Sequence, residues 1–224
     1  MRTVCIIPAR GGSKRIPHKN IADFCGQPML AWTIDAAIQS HLGDVYVSTD
    51  DDAIAQVARD YGAHVIRRES CNDDHSTVSD ATIATLRQLE RRGYTYDTVV
   101  QLMANCPLRT SLDIKTVYES YIQQRVPSCI SVFKYGWMNP WWALKCAGQP
   151  LFPNAIKTRS QDLPDLYCPT GAVWVASTMA LLTYGTFYAG FYGICEIPWQ
   201  SAVDIDEPED LAFAKAVKMM EVSE

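Results

Sequence analysis

The run Val4-Cys5-Ile6-Ile7-Pro8-Ala9, with the loop that follows it, Arg10-Gly11-Gly12-Ser13-Lys14-Arg15-Ile16-Pro17-His18-Lys19-Asn20, decides how this chain folds. A short, continuous apolar run bounded by glycine and charge is the pattern of a strand covered on both faces, as in the middle of a parallel sheet. Working outward, Pro28 opens a helical pattern with Leu30, Ile34, Ala37 and Ile38 on one face, and Asp44 to Thr49 (DVYVST) supplies the next strand. That is one βαβ unit. The rhythm repeats as helix (Asp50 to Tyr61), strand (His64 to Ile66), helix (Val78 to Arg92), strand (Thr98 to Met103), helix (Leu112 to Gln123) and strand (Cys129 to Phe133). Alternation of this kind predicts an α/β fold, an open, Rossmann-like, mostly parallel sheet with helices on both faces.

From about 135 to 166–170 the rhythm breaks. Tyr135, Trp137, Pro140, Trp141, Trp142, Pro150, Phe152, Pro153 and Pro164 crowd a stretch without helical period, which reads as an inserted arm. The alternation resumes with Ala172 to Ala176, Gly193 to Ile197 and a last helix from Glu207 to about Met219. A length of 224 residues suits one domain with an insertion, at roughly 150 residues per domain.

Composition narrows the classes. Hydrophobic residues are 48% and charged residues 20%, ordinary globular usage that excludes disordered and collagen-like chains. Lys plus Arg number 20 against 25 Asp plus Glu, a net charge of −5 that argues against a nucleic-acid binder. Eight scattered cysteines form no CxxC pair and no zinc-type cluster, so a reducing compartment is expected. The first apolar run is too short for a signal peptide core or a membrane span, and the expected location is the cytoplasm.

In an acidic protein, four positive charges in one loop (Arg10, Lys14, Arg15, Lys19) stand out. Gly11 and Gly12 let backbone N–H groups approach an anion closely, and the loop sits at the carboxyl end of a buried strand, where open α/β sheets bind ligands. It is neither GxxxxGK[ST] nor GxGxxG. A polyphosphate site is the reading, against a merely solvated basic loop. The second constellation is Val203-Asp204-Ile205-Asp206-Glu207-Pro208-Glu209. Asp204 and Asp206, two apart at a strand's end, would project to one side and share a hard divalent cation. Asp206 with Glu209 also reads as a capping box for the last helix.

Together IIPARGGSKRIPHKNI, the STDD after the second strand, the CPLR after the strand at Val99 and VDIDEPEDL resemble the CMP-sialic acid synthetase family, the cytidylyltransferases of nonulosonic acids. The resemblance spans nearly the whole chain. Ser13-Lys14 and Lys19-Asn20 set it apart from the ketodeoxyoctonate cytidylyltransferases of the same fold. It implies that the loop at Ala9, Arg10, Gly11, Gly12, Ser13 and Lys14 holds the CTP triphosphate, with Lys19 and Asn20 closing over it. It implies Mg²⁺ on Asp204 and Asp206, and nucleotide contacts from Arg68 (or Arg67) and from Ser79, with Ser79 or Ser76 alternatively a helix cap.

Where the sialic acid members read Leu-Gln-Pro-Thr-Ser-Pro-Leu-Arg, this chain reads Leu102-Met103-Ala104-Asn105-Cys106-Pro107-Leu108-Arg109. Met103 in place of the Gln that helps hold the sugar acid favours a legionaminic or pseudaminic type of acceptor over N-acetylneuraminate, with Asn105 replacing part of the polar contact. Arg159, Gln161 and Tyr167 would reach the acceptor, an Arg being suited to its carboxylate. The arm implies a homodimer. The implied reaction is attack of the anomeric hydroxyl on the α-phosphate of CTP, with Arg10, Lys14 and Lys19 neutralising charge and no evident general base beyond a loop histidine, His18. The competing readings are a sugar-1-phosphate or ketodeoxyoctonate-type nucleotidyltransferase and a non-catalytic nucleotide-binding homologue.

Overall fold

The computed structural model describes residues 1–71, 76–188 and 190–221. In chain order the strands and helices are β1 (Thr3–Pro8), β2 (Asp23–Phe24), β3 (Gln27–Pro28), α1 (Met29–Ser40), β4 (Asp44–Thr49), α2 (Asp52–Asp60), β5 (His64–Arg67), α3 (Val78–Arg91), β6 (Thr98–Gln101), α4 (Ser111–Gln124), β7 (Ser128–Lys134), β8 (Tyr167–Ser177), α5 (Thr178–Tyr184), β9 (Gly193–Glu196) and α6 (Pro208–Glu221). Seven strands form one sheet in the order β5-β4-β1-β6-β8-β7-β9. β1 pairs in parallel with β4 and with β6, as its unbroken apolar run requires. β8 alone runs antiparallel, between β6 and β7.

Successive β1 side chains serve opposite faces. Cys5 and Ile7 join Leu30 and Ile34 of α1, Ile54 of α2 and Ile114 of α4 in one core cluster. Val4 and Ile6 join Leu86 and Leu89 of α3 and Leu181 of α5 in the other. Helices therefore cover both faces, as expected. A third, smaller cluster matters most for the site: Ile16 of the basic loop, Phe24, Met29, Leu108, Ile205 and Ala214 of α6 pack together. Fully burying Ile205 alone contributes about 1.5–3 kcal/mol. That apolar contact draws the basic loop and the aspartate segment to the same end of the sheet.

Several boundaries differ from the sequence reading for local reasons. Asp51 caps α2 by accepting from the Ile54 N–H, so the helix starts at Asp52. Neither Ser76 nor Ser79 caps α3; Thr77 does, in a reciprocal capping box with Asp80, while Ser79 lies buried in the first turn. β8 begins at Tyr167, because 167–169 pair with 132–134 of β7 after a register shift, which leaves 135–166 as the irregular arm. That arm carries single helical turns at Pro140–Trp142, Ala155–Lys157 and Ser160–Asp162. Among the described residues no helix is long and apolar enough to cross a membrane.

Candidate active site

The basic loop leaves β1 and is pinned from below. The Gly11 N–H donates to Asp50 at 3.0 Å, and a Cβ on Gly11 would lie 2.5 Å from an Asp51 carboxylate oxygen. Only glycine fits this approach to the start of α2, so STDD acts as a seat for the loop. Asn20, buried, donates to the Arg10 carbonyl at 2.9 Å and closes the loop on itself. Arg68 is also buried; its backbone N–H donates to the Thr49 carbonyl, and its charge is felt by Asp50 and Arg10. Burial holds its guanidinium below the ordinary value. Of the two candidates Arg68 is the buried one, while Arg67 pairs with Asp52 at the surface.

The opposite wall is the segment before α6. Asp204 and Asp206 are not at a strand's end: β9 stops at Glu196, and the segment is held by buried Ile205 and by its N–H donating to the Asn105 carbonyl at 2.9 Å. The Asn105 side-chain amide donates to the Asp204 carboxylate, and also to the Ile205 carbonyl (3.3 Å) and Asp206 (3.5 Å). One amide therefore spans both carboxylates.

Lys19 Nζ donates to the Ile205 carbonyl at 2.8 Å and to Asp206 at 2.7 Å, and Arg15 reaches Asp206 (3.3 Å) and Glu207 (2.9 Å). The expected capping box of Asp206 with Glu209 does not form. Asp210 instead accepts from the Asp206 and Glu207 N–H groups, which leaves the Asp206 carboxylate to Lys19, Arg15 and Asn105.

The two aspartates titrate apart. Asp204 keeps an exposed surface, but desolvation by the protein packed beside it, then the Asp206 charge, pushes it up to about 6. At Asp206 burial is opposed by the Lys19 hydrogen bond and charge and by Arg15, and the carboxyl ends below its ordinary value. Among the described residues no group of three His, Cys, Asp or Glu forms a metal cluster. Two hard carboxylates bridged by one amide still fit a cation such as Mg²⁺, which typically takes one or two protein carboxylates and completes its shell from water and substrate phosphates.

Between the walls lies a cleft of about 410 Å³, lined by Pro8, Arg10, Ser13, Lys14, Arg15, Ile16, Lys19, Asn20, Val78, Met103, Ala104, Asn105 and Asp206. A basic wall, an acidic wall and a Met103–Asn105 floor at the carboxyl end of β1 and β6 are the layout of a nucleotide polyphosphate site in an open α/β sheet.

A family model described as Cytidylyltransferase matches residues 4–221. The pseudaminic acid cytidylyltransferase of Campylobacter jejuni is 34% identical over 96% of this chain and 95% of its own length. The chain belongs to the nonulosonic acid cytidylyltransferase family. The CMP-N,N'-diacetyllegionaminic acid synthase of Legionella pneumophila is 32% identical to this cytidylyltransferase, over 100% of this chain and 98% of its own. The N-acylneuraminate cytidylyltransferase of Streptococcus agalactiae is 30% identical over 94% of this chain but 52% of its own.

In structure the cytidylyltransferase matches CMP:2-keto-3-deoxy-manno-octonic acid synthetase complexed with CTP, with a TM-score of 0.74 over 99% and 100% of the two chains at 18% identity. It also matches 4-diphosphocytidyl-2C-methyl-D-erythritol synthase from Anaerococcus prevotii, with a TM-score of 0.69 over 97% and 98% at 14% identity. At those identities the likeness is one of fold.

Three acceptor candidates lie outside the cleft lining of this single cytidylyltransferase chain. Arg159 is exposed and forms a two-point pair with Asp162 (2.7 and 3.1 Å), and Gln161 and Tyr167 are exposed on and beside the arm. Met103 does line the cleft. Its thioether occupies the space beside Gly171, where a Cβ would sit 2.0 Å from the sulfur.

Sequence reasoning quoted STDD as a motif but gave Asp50 and Asp51 no role as the seat of the loop. It also missed Arg109, read as part of a motif without a role.

Proposed function

We propose that this protein transfers CMP from CTP to the anomeric hydroxyl of a nonulosonic acid and releases pyrophosphate, with a pseudaminic or legionaminic type of acid as acceptor. The observation that carries the reading is the cleft itself, in which a cationic loop faces Asp206 across a gap bridged by Lys19, with Asp204 joined to Asp206 behind the lining through the Asn105 amide. In this scheme Arg10, Ser13 and Lys14, with the loop backbone of Ala9, Gly11 and Gly12, hold the triphosphate. Asn20 keeps the loop closed, and Arg68 and Ser79 support the nucleotide side. Lys19 orients Asp206 and lowers the charge near the leaving pyrophosphate. Asp204 and Asp206 would hold Mg²⁺, which neutralises phosphate charge when bound. Asn105 keeps the two carboxylates in register. Catalysis here is positioning and charge neutralisation.

The acceptor choice rests on Met103. A thioether on the cleft floor gives a substrate hydroxyl only a weak acceptor and no donor, whereas an amide gives a strong acceptor and donors. Pyrophosphate release from CTP with pseudaminic, legionaminic and N-acetylneuraminic acids and 2-keto-3-deoxyoctonate tests the reading. The expected result is a kcat/KM for one of the first two at least about tenfold above that for N-acetylneuraminate. Preference for the octonate, or for a sugar-1-phosphate, would overturn it.

The same reading includes a homodimer. On the arm Trp137 is 84% exposed, and Met138, Leu144 and Leu151 are also exposed, an apolar surface of the kind that marks protein interfaces. Arg159, Gln161 and Tyr167 would then complete the acceptor site of the second copy. Light scattering should give twice the chain mass. Mixing Arg159→Ala with Asp204→Asn chains should restore activity, because one site of the mixed dimer keeps both residues; no recovery from a mixed dimer would end the shared-site idea. Placement in the cytoplasm agrees with eight free cysteines.

A further inference from the structure

Arg109 is 3% exposed, and among the described residues it forms no ion pair. Its Nη1 donates to two backbone carbonyls, Ala172 at 2.6 Å and Met103 at 3.2 Å, while Nε and Nη2 have no hydrogen-bond partner among the described residues. Burial holds this guanidinium down to about 10. A buried charge with two unsatisfied donors is a poor device for stability, and an apolar side chain of similar volume commonly does as well or better there. Its use must be sought in what the two carbonyls belong to.

They mark the point where the sheet opens. The β6–β8 ladder ends with Gln101 opposite Trp174, after which the chain leaves β6 and runs on as the cleft floor, Met103 to Asn105. Beyond the ladder the Met103 N–H still donates to the Gly171 carbonyl at 3.2 Å, and Arg109 ties the next peptide groups together. The chain then turns through Cys106, whose carbonyl accepts from the Arg109 N–H, and enters α4 under the Thr110–Asp113 capping box. The floor residue two places after Met103 is Asn105, the amide that spans Asp204 and Asp206.

We infer that Arg109 is a positioning residue for cytidylyl transfer, clamping the Met103 and Ala172 carbonyls so that Asn105 holds the two aspartates in register. The clamp acts from beneath the floor and touches no substrate. The kinetic part of this inference rests on the cytidylyl-transfer reading; the structural part does not.

Arg109→Met and Arg109→Lys test it on the full chain. Hydrogen exchange reads the clamp directly. In Arg109→Met the Ile205 N–H, bonded to the Asn105 carbonyl, should exchange at least tenfold faster, while the β6 amides of Val99 to Gln101 keep their protection and Tm does not fall. In kinetics kcat should drop 10- to 100-fold with KM for CTP within about threefold, and Arg109→Lys should recover part of the loss. Asn105→Ala combined with Arg109→Met should be no slower than Asn105→Ala alone, since both act through one amide.

A wild-type kcat in Arg109→Met, additive losses in the double variant, or faster exchange spread evenly over β6 and Ile205 would each overturn the inference. If Arg109→Met does not fold, Arg109→Lys decides: reduced kcat with faster Ile205 exchange supports the clamp, and wild-type behaviour in both removes it. Altered Ile205 exchange in a protein that transfers CMP to no nonulosonic acid would fault the functional reading and leave the clamp standing.

Discussion

Asp204→Asn and Asp206→Asn should each lower kcat by about a thousandfold, because each removes a carboxylate charge from the wall that faces the phosphates. The two variants should differ in stability. Asp204 is held ionised against partial desolvation and the neighbouring Asp206 charge, which push it up to about 6. Neutralising it removes that repulsion, so Tm should stay level or rise. Asp206 instead gives up its pairs with Lys19 and Arg15. The Arg15 pair is exposed and adds little, whereas the Lys19 ammonium is only 14% exposed and loses a charged acceptor, so Tm should fall slightly. Helix α6 should survive in both, since Asp210 and not Asp206 caps it. Steady-state rates across a magnesium titration, with thermal melts alongside, measure this. An Asp206→Asn enzyme that stays fully active at every magnesium concentration would remove Asp206 from the metal site.

How far the sequence carried these conclusions depends on how local each feature is. The βαβ alternation was legible because β1, β4 and β6 are covered by helices on both faces, which forces apolar runs such as VCIIPA and TVVQLM. The basic loop was legible because charge in an acidic chain and glycine next to a buried strand are both local signals. The β2–β3 hairpin was not: each strand has two residues, and its turn rests on positive φ at Cys25 and Gly26, of which only the glycine advertises it. Helix α5 was missed because seven residues after a long strand make no periodic pattern.

The site shows the same division. Asp204 and Asp206 were found by their spacing, and the expectation that they project to one side agrees with their shared Asn105 contact, but the segment that carries them is not a strand's end. Alternation about buried Ile205 turns them to that side, anchored by Asn105 from 99 and 101 positions away in sequence. No local pattern carries that contact. Nor does any show that Arg109 ends up under the floor, because its acceptors are backbone carbonyls 6 and 63 positions away, which no sequence pattern marks.

Lys14→Ala should lower kcat/KM for CTP a hundredfold or more, since a charge-assisted phosphate contact in a closed site is worth about 3 kcal/mol in the transition state. Lys14 lies exposed on the cationic wall of the cleft, so its removal should hardly move Tm. Lys19 provides the contrast within the same loop. It is largely buried and bonded to both Ile205 and Asp206, so Lys19→Met should depress Tm as well as kcat/KM. The pair of variants separates charge at the phosphates from the architecture that joins the two walls. Equal losses of stability in both would mean that Lys14 is structural. A Lys14→Ala enzyme with near wild-type kinetics toward CTP would take this part of the loop out of the active site, and the triphosphate would have to be held by Arg10, Ser13 and Lys19 without it.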